Sequence, residues 1–297
     1  MRVRICTGKM LHLQNNLARG VASRRVNDEA KGMKAATSLV VFSDLDGTLL
    51  DHDTYAWSAA APALAALRRI NAPLILSSSK TAVEIAKIQR DLDIVGTPAI
   101  VENGAGLLGM DHAADDYARL RGILNGFPAQ LRAPFEGFGD MDAARIAQVT
   151  GLSLDGAADA KSRAYSEPGL WSGDSASRTA FITALSDHGV FAREGGRFLT
   201  LSFGATKADG MTQVIDTYKP QHTIALGDAP NDIEMLGAVE YGVVIANPSR
   251  APLPPLPGEP SPHIIRTEQP GPTGWNAAVL TLLQRLNLDS ERELPHG

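Results

Sequence analysis

One apolar segment of the chain runs directly into a cluster of acidic and small residues: residues 40–50 read VVFSDLDGTLL. Val40, Val41 and Phe42 are β-branched or aromatic, which is typical of a buried strand, and the Asp-Gly pair after them favours a turn. We therefore expect Asp44 and Asp46 at the tip of a strand. An ordinary explanation is that they only form this turn, since Asp and Gly are common turn residues.

That explanation is weakened by the rarity of the pattern Asp-x-Asp-Gly-Thr, which chance would place in roughly one chain of this length in several hundred. A second segment, residues 222–236, repeats the arrangement and reads HTIALGDAPNDIEML. Its apolar run is followed by Asp228 and Asp232. Because the carboxyl ends of parallel strands meet at one edge of an open α/β sheet, the two acidic segments should converge there.

The convergence predicts a metal site. The carboxylates of Asp44, Asp46, Asp228 and Asp232 would repel one another unless a cation neutralised them. Hard divalent cations prefer oxygen ligands, so we expect Mg²⁺. Alternatively, Asp228 and Asp232 stabilise a helix N-terminus through its macrodipole and free N–H groups. That alternative explains Asp232 better than it explains Asp228.

The composition excludes several classes of protein. The 297 residues are 44% hydrophobic and 21% charged, which is typical of a soluble globular protein. A net charge of −5 provides no basic surface for nucleic acid. Since no apolar run approaches the roughly 20 residues of a membrane span, we expect no membrane association. One cysteine, Cys6, cannot form an internal disulfide, which fits a reducing compartment and predicts a cytoplasmic protein.

Residues 1–36 are set apart as a leader. Six basic residues precede the first acid, Asp28, as in a transit peptide. Met33 stands shortly before the first predicted strand, so the segment can equally be a disordered extension or an overlong start assignment. We favour a disordered extension or an overlong start assignment over a transit peptide, and we exclude the leader from the fold.

The rest of the chain alternates between predicted strands and helices in two separate stretches. APLILSSSK (72–80) and PAIVENGAG (98–106) read as strands with helical segments between them, and the alternation resumes near residue 204. This pattern predicts a parallel α/β sheet with a final helix over residues 274–288. Between the stretches, residues 109–203 mix helical segments with short strand-like pieces, which predicts an inserted α+β domain.

Four motifs then occur in a recognisable order: DLDGT (44–48), LSSSK (76–80), TKADG (206–210) and GDAPND (227–232). With this set the chain resembles the haloacid dehalogenase-like phosphatases over about residues 38–283. The resemblance implies a Rossmann-like, doubly wound core formed by residues 37–108 and 204–297. Residues 109–203 would form a second-class cap, which closes over the cleft and supplies specificity.

The resemblance also implies the chemistry. Asp44 would be the nucleophile that becomes an aspartyl phosphate, and Asp46 would protonate the leaving oxygen and later activate water. Asp44, the backbone carbonyl of Asp46, and Asp228 would hold Mg²⁺, with Asp232 close behind. An acid at position 46 fits turnover by hydrolysis or phosphate exchange.

Three further residues, Ser78, Lys207 and Asn231, would bind the phosphoryl oxygens. The triple serine at residues 77–79 leaves open which hydroxyl makes this contact. Alternatively, the serines cap the helix that follows, and Lys207 is a solvated surface lysine.

Within the predicted cap, KSRAYSEPGLW (161–171) and GGRFLTL (195–201), together with GPTGW (271–275), resemble the mannosyl-3-phosphoglycerate phosphatase family. Its substrate has a carboxylate, a phosphate and a hexose. Arg197 could bind the carboxylate, while Glu167 and Trp171 could contact the sugar. Alternatively, Glu167 and Arg197 form a salt bridge within the cap and Trp171 belongs to its core.

The leading prediction is thus a Mg²⁺-dependent phosphatase for mannosyl-3-phosphoglycerate or its glucosyl counterpart. Alternatives are a phosphatase for sucrose phosphate or general hexose phosphates, a phosphomannomutase, and a catalytically silent binding protein. The expected partner is a small phosphorylated molecule. The oligomeric state and the hexose are left open.

Overall fold

The structure is a computed structural model that describes residues 37–110, 115–195, 197–261 and 263–289. The predictions for the leader and for Cys6 lie outside these residues. Eleven strands are present in the described part: β1 Leu39–Ser43, β2 Leu74–Ser77, β3 Ala99–Val101, β4 Gly106–Leu108, β5 Phe135–Gly137, β6 Glu167–Trp171, β7 Phe191–Gly195, β8 Phe198–Ser202, β9 His222–Gly227, β10 Tyr241–Ala246 and β11 Ile264–Pro270.

Ten α-helices accompany them in the same ranges: α1 Ala61–Arg69, α2 Ala82–Asp91, α3 Asp116–Asn125, α4 Ala129–Arg132, α5 Ala143–Thr150, α6 Leu154–Lys161, α7 Ser175–Ser186, α8 Lys207–Tyr218, α9 Ile233–Gly237 and α10 Gly271–Arg285. Capping boxes start α2 and α8, where Thr81 pairs with Glu84 and Thr206 pairs with Asp209. These reciprocal hydrogen bonds fix the first turn of each helix. Both helices follow a loop at the functional edge of the sheet.

The larger sheet has seven strands in the order β11-β10-β9-β1-β2-β3-β4. All neighbouring strands are parallel except β3 and β4, which are antiparallel. Strand β1 lies in the centre and is buried on both faces. Leu39 and Val41 pack in one cluster with α1, α2 and α10, whereas Val40 and Phe42 pack in the other with α8 and α9. Helices therefore cover both faces, as the alternating sequence predicts.

A separate sheet of four antiparallel strands has the order β5-β6-β8-β7. Helices α3 and α7 contribute to a cluster that includes Phe135 and Phe181, and α5 and α6 to another that includes Phe138 and Ile146. The predicted fold class, a mostly parallel α/β core with an α+β insertion, is confirmed. The larger sheet draws on residues 39–108 and 222–270, and the smaller on residues 135–202. The exact domain boundaries stay a prediction.

The sequence interpretation missed several elements. It did not predict the short strand β4, the exposed strand β7 or the edge strand β11. The last helix begins at Gly271, three residues before the predicted start.

Candidate active site

The first acidic loop leaves β1 at the carboxyl edge of the large sheet. The backbone N–H of Asp44 donates to the carbonyl of Leu226 in β9, at 2.9 Å, so the loop is tied to the neighbouring strand. Gly47 has φ +85°, and a Cβ atom on it would lie 2.5 Å from Nδ2 of Asn247. Only glycine permits both this backbone conformation and this close approach. Gly47 is therefore required for the geometry of the loop.

The two acidic segments converge as expected. The carboxylates of Asp44, Asp228 and Asp232 are buried, and each offers an oxygen within 4.8 Å of the others. Asp228 accepts hydrogen bonds from Oγ1 of Thr48 at 2.9 Å and from Nδ2 of Asn247 at 2.7 Å. These contacts fix the carboxylate against both neighbouring loops. The strand ends thus form one acidic centre.

Lys207 inserts its ammonium group into this centre from the first residue of α8. Its Nζ lies 2.6 Å from Oδ1 of Asp44, 2.7 Å from Oδ1 of Asp232 and 3.0 Å from the carbonyl of Ser77. The helix start is seated closely, since a Cβ atom on Gly104 would lie 2.0 Å from the carbonyl carbon of Thr206. The alternative of a solvated surface lysine is wrong, because Lys207 is only 2% exposed.

The charges of this centre are coupled. Burial raises the pKa of Asp44 to about 8, Asp232 adds to the increase, and Lys207 opposes it. Burial would lower the pKa of Lys207, but Asp232 and Asp44 outweigh it and raise this pKa above its ordinary value. Lys207 is therefore a permanent cation. Together with Arg250, which pairs with Asp228 at 3.3 Å, it places two cations against three carboxylates. The remaining negative charge favours a further cation.

The carboxylate oxygens of the three acids suit a hard divalent cation, but the three side chains are not equally suited as ligands. Asp232 is already occupied: Oδ1 accepts from Lys207, and Oδ2 accepts from the backbone N–H groups of Asp228 and Ala229, at 3.1 and 3.0 Å. Asp228 also has contacts on both oxygens, but they come from the side chains of Thr48, Asn247 and Arg250 and not from backbone N–H groups. Asp44 and Asp228 therefore stay the predicted direct ligands, and the backbone contacts of Asp232 hold the loop around them. Carboxylate oxygens of this kind suit Mg²⁺.

Asp46 lies outside the acidic cluster. Its Oδ2 forms an ion pair with Nζ of Lys80 at 2.8 Å, and its side chain is 36% exposed. Its Oδ1 is buried and has no hydrogen-bond partner within the part of the chain that the structure covers. A carboxylate with one free oxygen near Asp44, the predicted nucleophile, suits the predicted role of an acid and base. The side chain of Asp46 is thus separated from the predicted metal ligands.

The serines and Asn231 take different positions. Ser77 and Ser78 are buried, whereas Ser79 is exposed. The Ser77 hydroxyl has no partner among the described residues, and the Ser78 hydroxyl accepts from the backbone N–H of Lys80 at 3.3 Å. The helix cap is Thr81, so the alternative that a serine caps α2 is wrong. Nδ2 of the exposed Asn231 donates to Asn103 at 3.0 Å, and its phosphate role stays a prediction.

The cap residues predicted to bind substrate are far apart. Glu167 is buried at the start of β6, where it accepts from Arg121 at 2.9 Å and from the N–H of Gly139 at 2.8 Å. Strand β6 runs antiparallel to β8, so Glu167 faces Leu201. Arg197 precedes β8 and lies at the other end, about 13 Å away along the strand.

Trp171 shares that distal end with Arg197: the two residues help to line a cavity of about 280 Å³. The Trp171 ring also stacks on Phe181, with ring centroids 5.1 Å apart, and thus belongs partly to the cap core. Arg197 donates to the carbonyl of Val149 at 2.7 Å. The predicted grouping of Glu167 with these residues is therefore not formed, and neither is the alternative salt bridge between Glu167 and Arg197.

A contact that the sequence interpretation missed joins the cap to the core. Glu102 is 2% exposed and has φ +52°. Its carboxylate accepts from the backbone N–H groups of Ala164, Tyr165 and Ser166, at 2.8, 3.2 and 2.7 Å. Arg163 pairs with it at 3.2 Å. The segment of residues 163–166 is therefore anchored beside the serine loop.

The sequence interpretation also missed three residues that contact the acids, namely Thr48, Lys80 and Asn247. Each follows a strand of the large sheet directly or within a few residues, as the acids do. A search for polar residues after every predicted strand would have found them.

Residues 41–118 and 180–251, half of the chain, match the family model of haloacid dehalogenase-like hydrolases. The chain belongs to this family. The prediction of an enzyme of the hydrolase class is thereby confirmed. Membership in the mannosyl-3-phosphoglycerate phosphatase branch stays a prediction.

Solved structures of haloacid dehalogenase-like proteins share the fold. A phosphatase from Bacteroides thetaiotaomicron is 17% identical, with a TM-score of 0.56, and the match covers 87% of this chain and 99% of that one. A subclass IIB sugar phosphatase of the superfamily is 14% identical, with a TM-score of 0.56 and coverage of 84% and 100%. The sucrose-phosphatase of Synechocystis is 15% identical, with a TM-score of 0.55 and coverage of 84% and 98%. At these identities the likeness establishes the fold.

Among the residues that the structure describes, none of the helices is both long enough and apolar enough to span a bilayer.

Proposed function

We propose that this chain is a Mg²⁺-dependent phosphomonoesterase for mannosyl-3-phosphoglycerate or its glucosyl counterpart. The observation that carries the proposal is the convergence of Asp44, Asp228 and Lys207, with the partly exposed Asp46 two residues from Asp44. Family membership and the phosphatases among the similar structures support a phosphatase. The protein would act in the cytoplasm.

In the first step Asp44 attacks phosphorus, and the bond from phosphorus to the C3 oxygen of the glycerate breaks as the new bond forms. Lys207 holds Oδ1 of Asp44 and thereby fixes the orientation of the carboxylate. Asp46 gives its proton to the leaving oxygen. The product of this step is an aspartyl phosphate and a free alcohol.

In the second step Asp46 takes a proton from water, and the resulting nucleophile attacks phosphorus. The bond to Asp44 breaks, phosphate leaves, and both carboxylates return to their first state. Lys207 remains charged throughout and neutralises phosphoryl oxygens. Bound Mg²⁺, held by Asp44 and Asp228, would supply further positive charge at those oxygens.

The narrower substrate assignment rests on three sequence strings, and parts of two of them lie near this centre. The third, GGRFLTL, leads into β8, and its Arg197 lies at the distal end of the cap sheet. KSRAYSEPGLW contains the segment that Glu102 anchors, and Arg163 in it donates to the carbonyl of Ser79 at 3.1 Å. GPTGW supplies Trp275, whose Nε1 donates to Ser43 at 2.9 Å, next to Asp44. Parts of these two strings therefore lie beside the proposed reaction centre.

A second candidate is a phosphatase for sucrose phosphate, which the similarity to the sucrose-phosphatase of Synechocystis favours. The test is a phosphate-release panel with Mg²⁺: the two glycosyl phosphoglycerates, sucrose 6-phosphate and mannose 6-phosphate. We expect the highest kcat/KM for a glycosyl phosphoglycerate and no release after EDTA. A higher value for sucrose 6-phosphate would move the assignment to the second candidate. No release from any ester would contradict a phosphatase.

A further inference from the structure

Lys80 is a cation in the cleft for which the reaction steps above leave no role. It lies between the serine loop and the cap residue Thr81 of α2. Its Nζ is 2.8 Å from Oδ2 of Asp46, its side chain is 15% exposed, and the Tyr55 ring centroid lies 5.5 Å from the ammonium. A lysine ammonium is charged at neutral pH.

The ammonium group of Lys80 has more N–H donors than its contact with Asp46 uses. An ammonium carries three N–H groups, and Asp46 is the carboxylate that lies against Lys80 within the described ranges. The remaining donors lie beside the acid that must meet the leaving oxygen. Any anionic group close to the leaving oxygen therefore comes within reach of Lys80.

The proposed substrate has such a group. In a 3-phosphoglycerate ester three bonds of about 1.5 Å separate the leaving oxygen from the carboxyl carbon, so the two lie at most about 4 Å apart. Asp46 must approach the leaving oxygen to hydrogen-bond distance, about 2.5–3.0 Å. Nζ of Lys80 lies 2.8 Å from Oδ2 of Asp46. The carboxylate can therefore contact Nζ of Lys80 while Asp46 acts on the leaving oxygen.

Other cations are less suited to this contact. Arg197 lies at the distal end of the cap sheet. Arg163 is committed to Glu102, Ser79 and Ser166. Arg250 pairs with Asp228 at 3.3 Å, on the side of the expected metal.

We propose that Lys80 is a specificity-determining residue that binds the carboxylate of the substrate's glyceryl moiety and positions Asp46. This inference rests on the proposed phosphatase function. It replaces Arg197, which the sequence had indicated for the carboxylate.

The test uses two esters that differ in one group. D-3-phosphoglycerate and sn-glycerol 3-phosphate have the same kind of leaving oxygen, but only the first has a carboxylate. The readout is the ratio of their kcat/KM values with Mg²⁺. In Lys80→Met this ratio should fall about tenfold to hundredfold, which corresponds to one charge-assisted hydrogen bond. Lost positioning of Asp46 lowers both values equally and leaves the ratio unchanged.

Two variants serve as controls. Lys80→Arg keeps the charge and should retain most of the ratio, and Arg197→Ala removes a distal cation and should leave it unchanged. Melting temperatures are compared first. If Lys80→Met does not fold, Lys80→Gln, which can still hydrogen-bond to Asp46, replaces it in the same measurement.

The possible results distinguish carboxylate binding by Lys80 from the proposed phosphatase function. Equal losses for both esters in the Lys80 variant would overturn carboxylate binding and leave Lys80 as a positioning residue. A wild-type enzyme that hydrolyses 4-nitrophenyl phosphate without preferring the carboxylate ester would overturn it as well, while the phosphatase function stands. Failure of the wild type to hydrolyse any ester would instead refute the proposed function itself.

Discussion

Removal of the Lys207 ammonium should strongly destabilise the metal-free protein. In the variant Lys207→Met, the carboxylates of Asp44 and Asp232 lose a cation at 2.6 and 2.7 Å, and both remain buried. Breaking a buried ion pair on one side costs about 3–5 kcal/mol, because it leaves an uncompensated charge. Methionine keeps a chain of similar length, so the main change is the lost charge.

Urea unfolding followed by circular dichroism in EDTA measures this loss, at about pH 9, above the folded pKa of Asp44 of about 8. With a slope of about 3 kcal/mol per molar urea, the midpoint should fall by roughly 1–2 M. The matched control is Lys87→Met, since Lys87 pairs with Asp159 but is half exposed. Such a pair contributes at most about 1 kcal/mol. Mg²⁺ should restore part of the lost stability in Lys207→Met, because it neutralises the same carboxylates.

A second substitution tests the electrostatic cause. Asp44→Asn, introduced into Lys207→Met, should raise the midpoint again, since it removes one unpaired buried charge. If Lys207→Met unfolds at the same urea concentration as Lys87→Met, the ammonium does not stabilise this centre and the reasoning is refuted. A midpoint that falls further in the double variant would show that the loss comes from packing.

Three further predictions concern the same strand ends. Asp46→Asn should retain the fold and lose about 10²- to 10⁴-fold in kcat, because the amide cannot transfer protons; a rate within threefold of wild type would exclude this role. In EDTA the free energy of unfolding should fall as the pH rises from about 4 to 8. The folded pKa of Asp44, about 8, lies above the ordinary aspartate value of about 3.8, so the folded state binds the extra proton in this range. Urea unfolding across the range, with Asp44→Asn as the control, should give a shallower slope for the variant, and equal slopes would contradict the assignment. Trp275→Phe should cost about 1–3 kcal/mol, since it removes the buried donor to Ser43, and an unchanged urea midpoint would argue against this hydrogen bond.

The sequence carried enough information to predict the core of the site. Asp44 and Asp228 follow apolar runs that can only be buried strands, and parallel strands bring their carboxyl ends to one edge. That edge is where the structure places them. Lys207 was identified through its motif, but its contact with Asp232 could not be read from the chain, because it depends on how α8 meets the sheet.

The cap was less accessible to sequence reasoning for a physical reason. Whether Glu167 and Arg197 share one end of a sheet depends on the register and direction of β6 and β8, and nothing in the local pattern fixes either. Strand β7 is largely exposed and β11 carries polar residues such as Arg266, so neither has the apolar pattern of a core strand. The pairing of Asp46 with Lys80 joins two loops and likewise appears only in the fold.

The identity of the nucleophile is the central claim, and covalent trapping tests it most directly. Asp46→Asn is mixed with substrate and Mg²⁺, quenched in acid and treated with hydroxylamine, which converts an aspartyl phosphate to a hydroxamate. Mass spectrometry of the peptides then locates the modification. We predict a hydroxamate on Asp44 that is absent without substrate and absent in Asp44→Asn. A hydroxamate on Asp228 or Asp232, or phosphate release that continues in Asp44→Asn, would contradict the account.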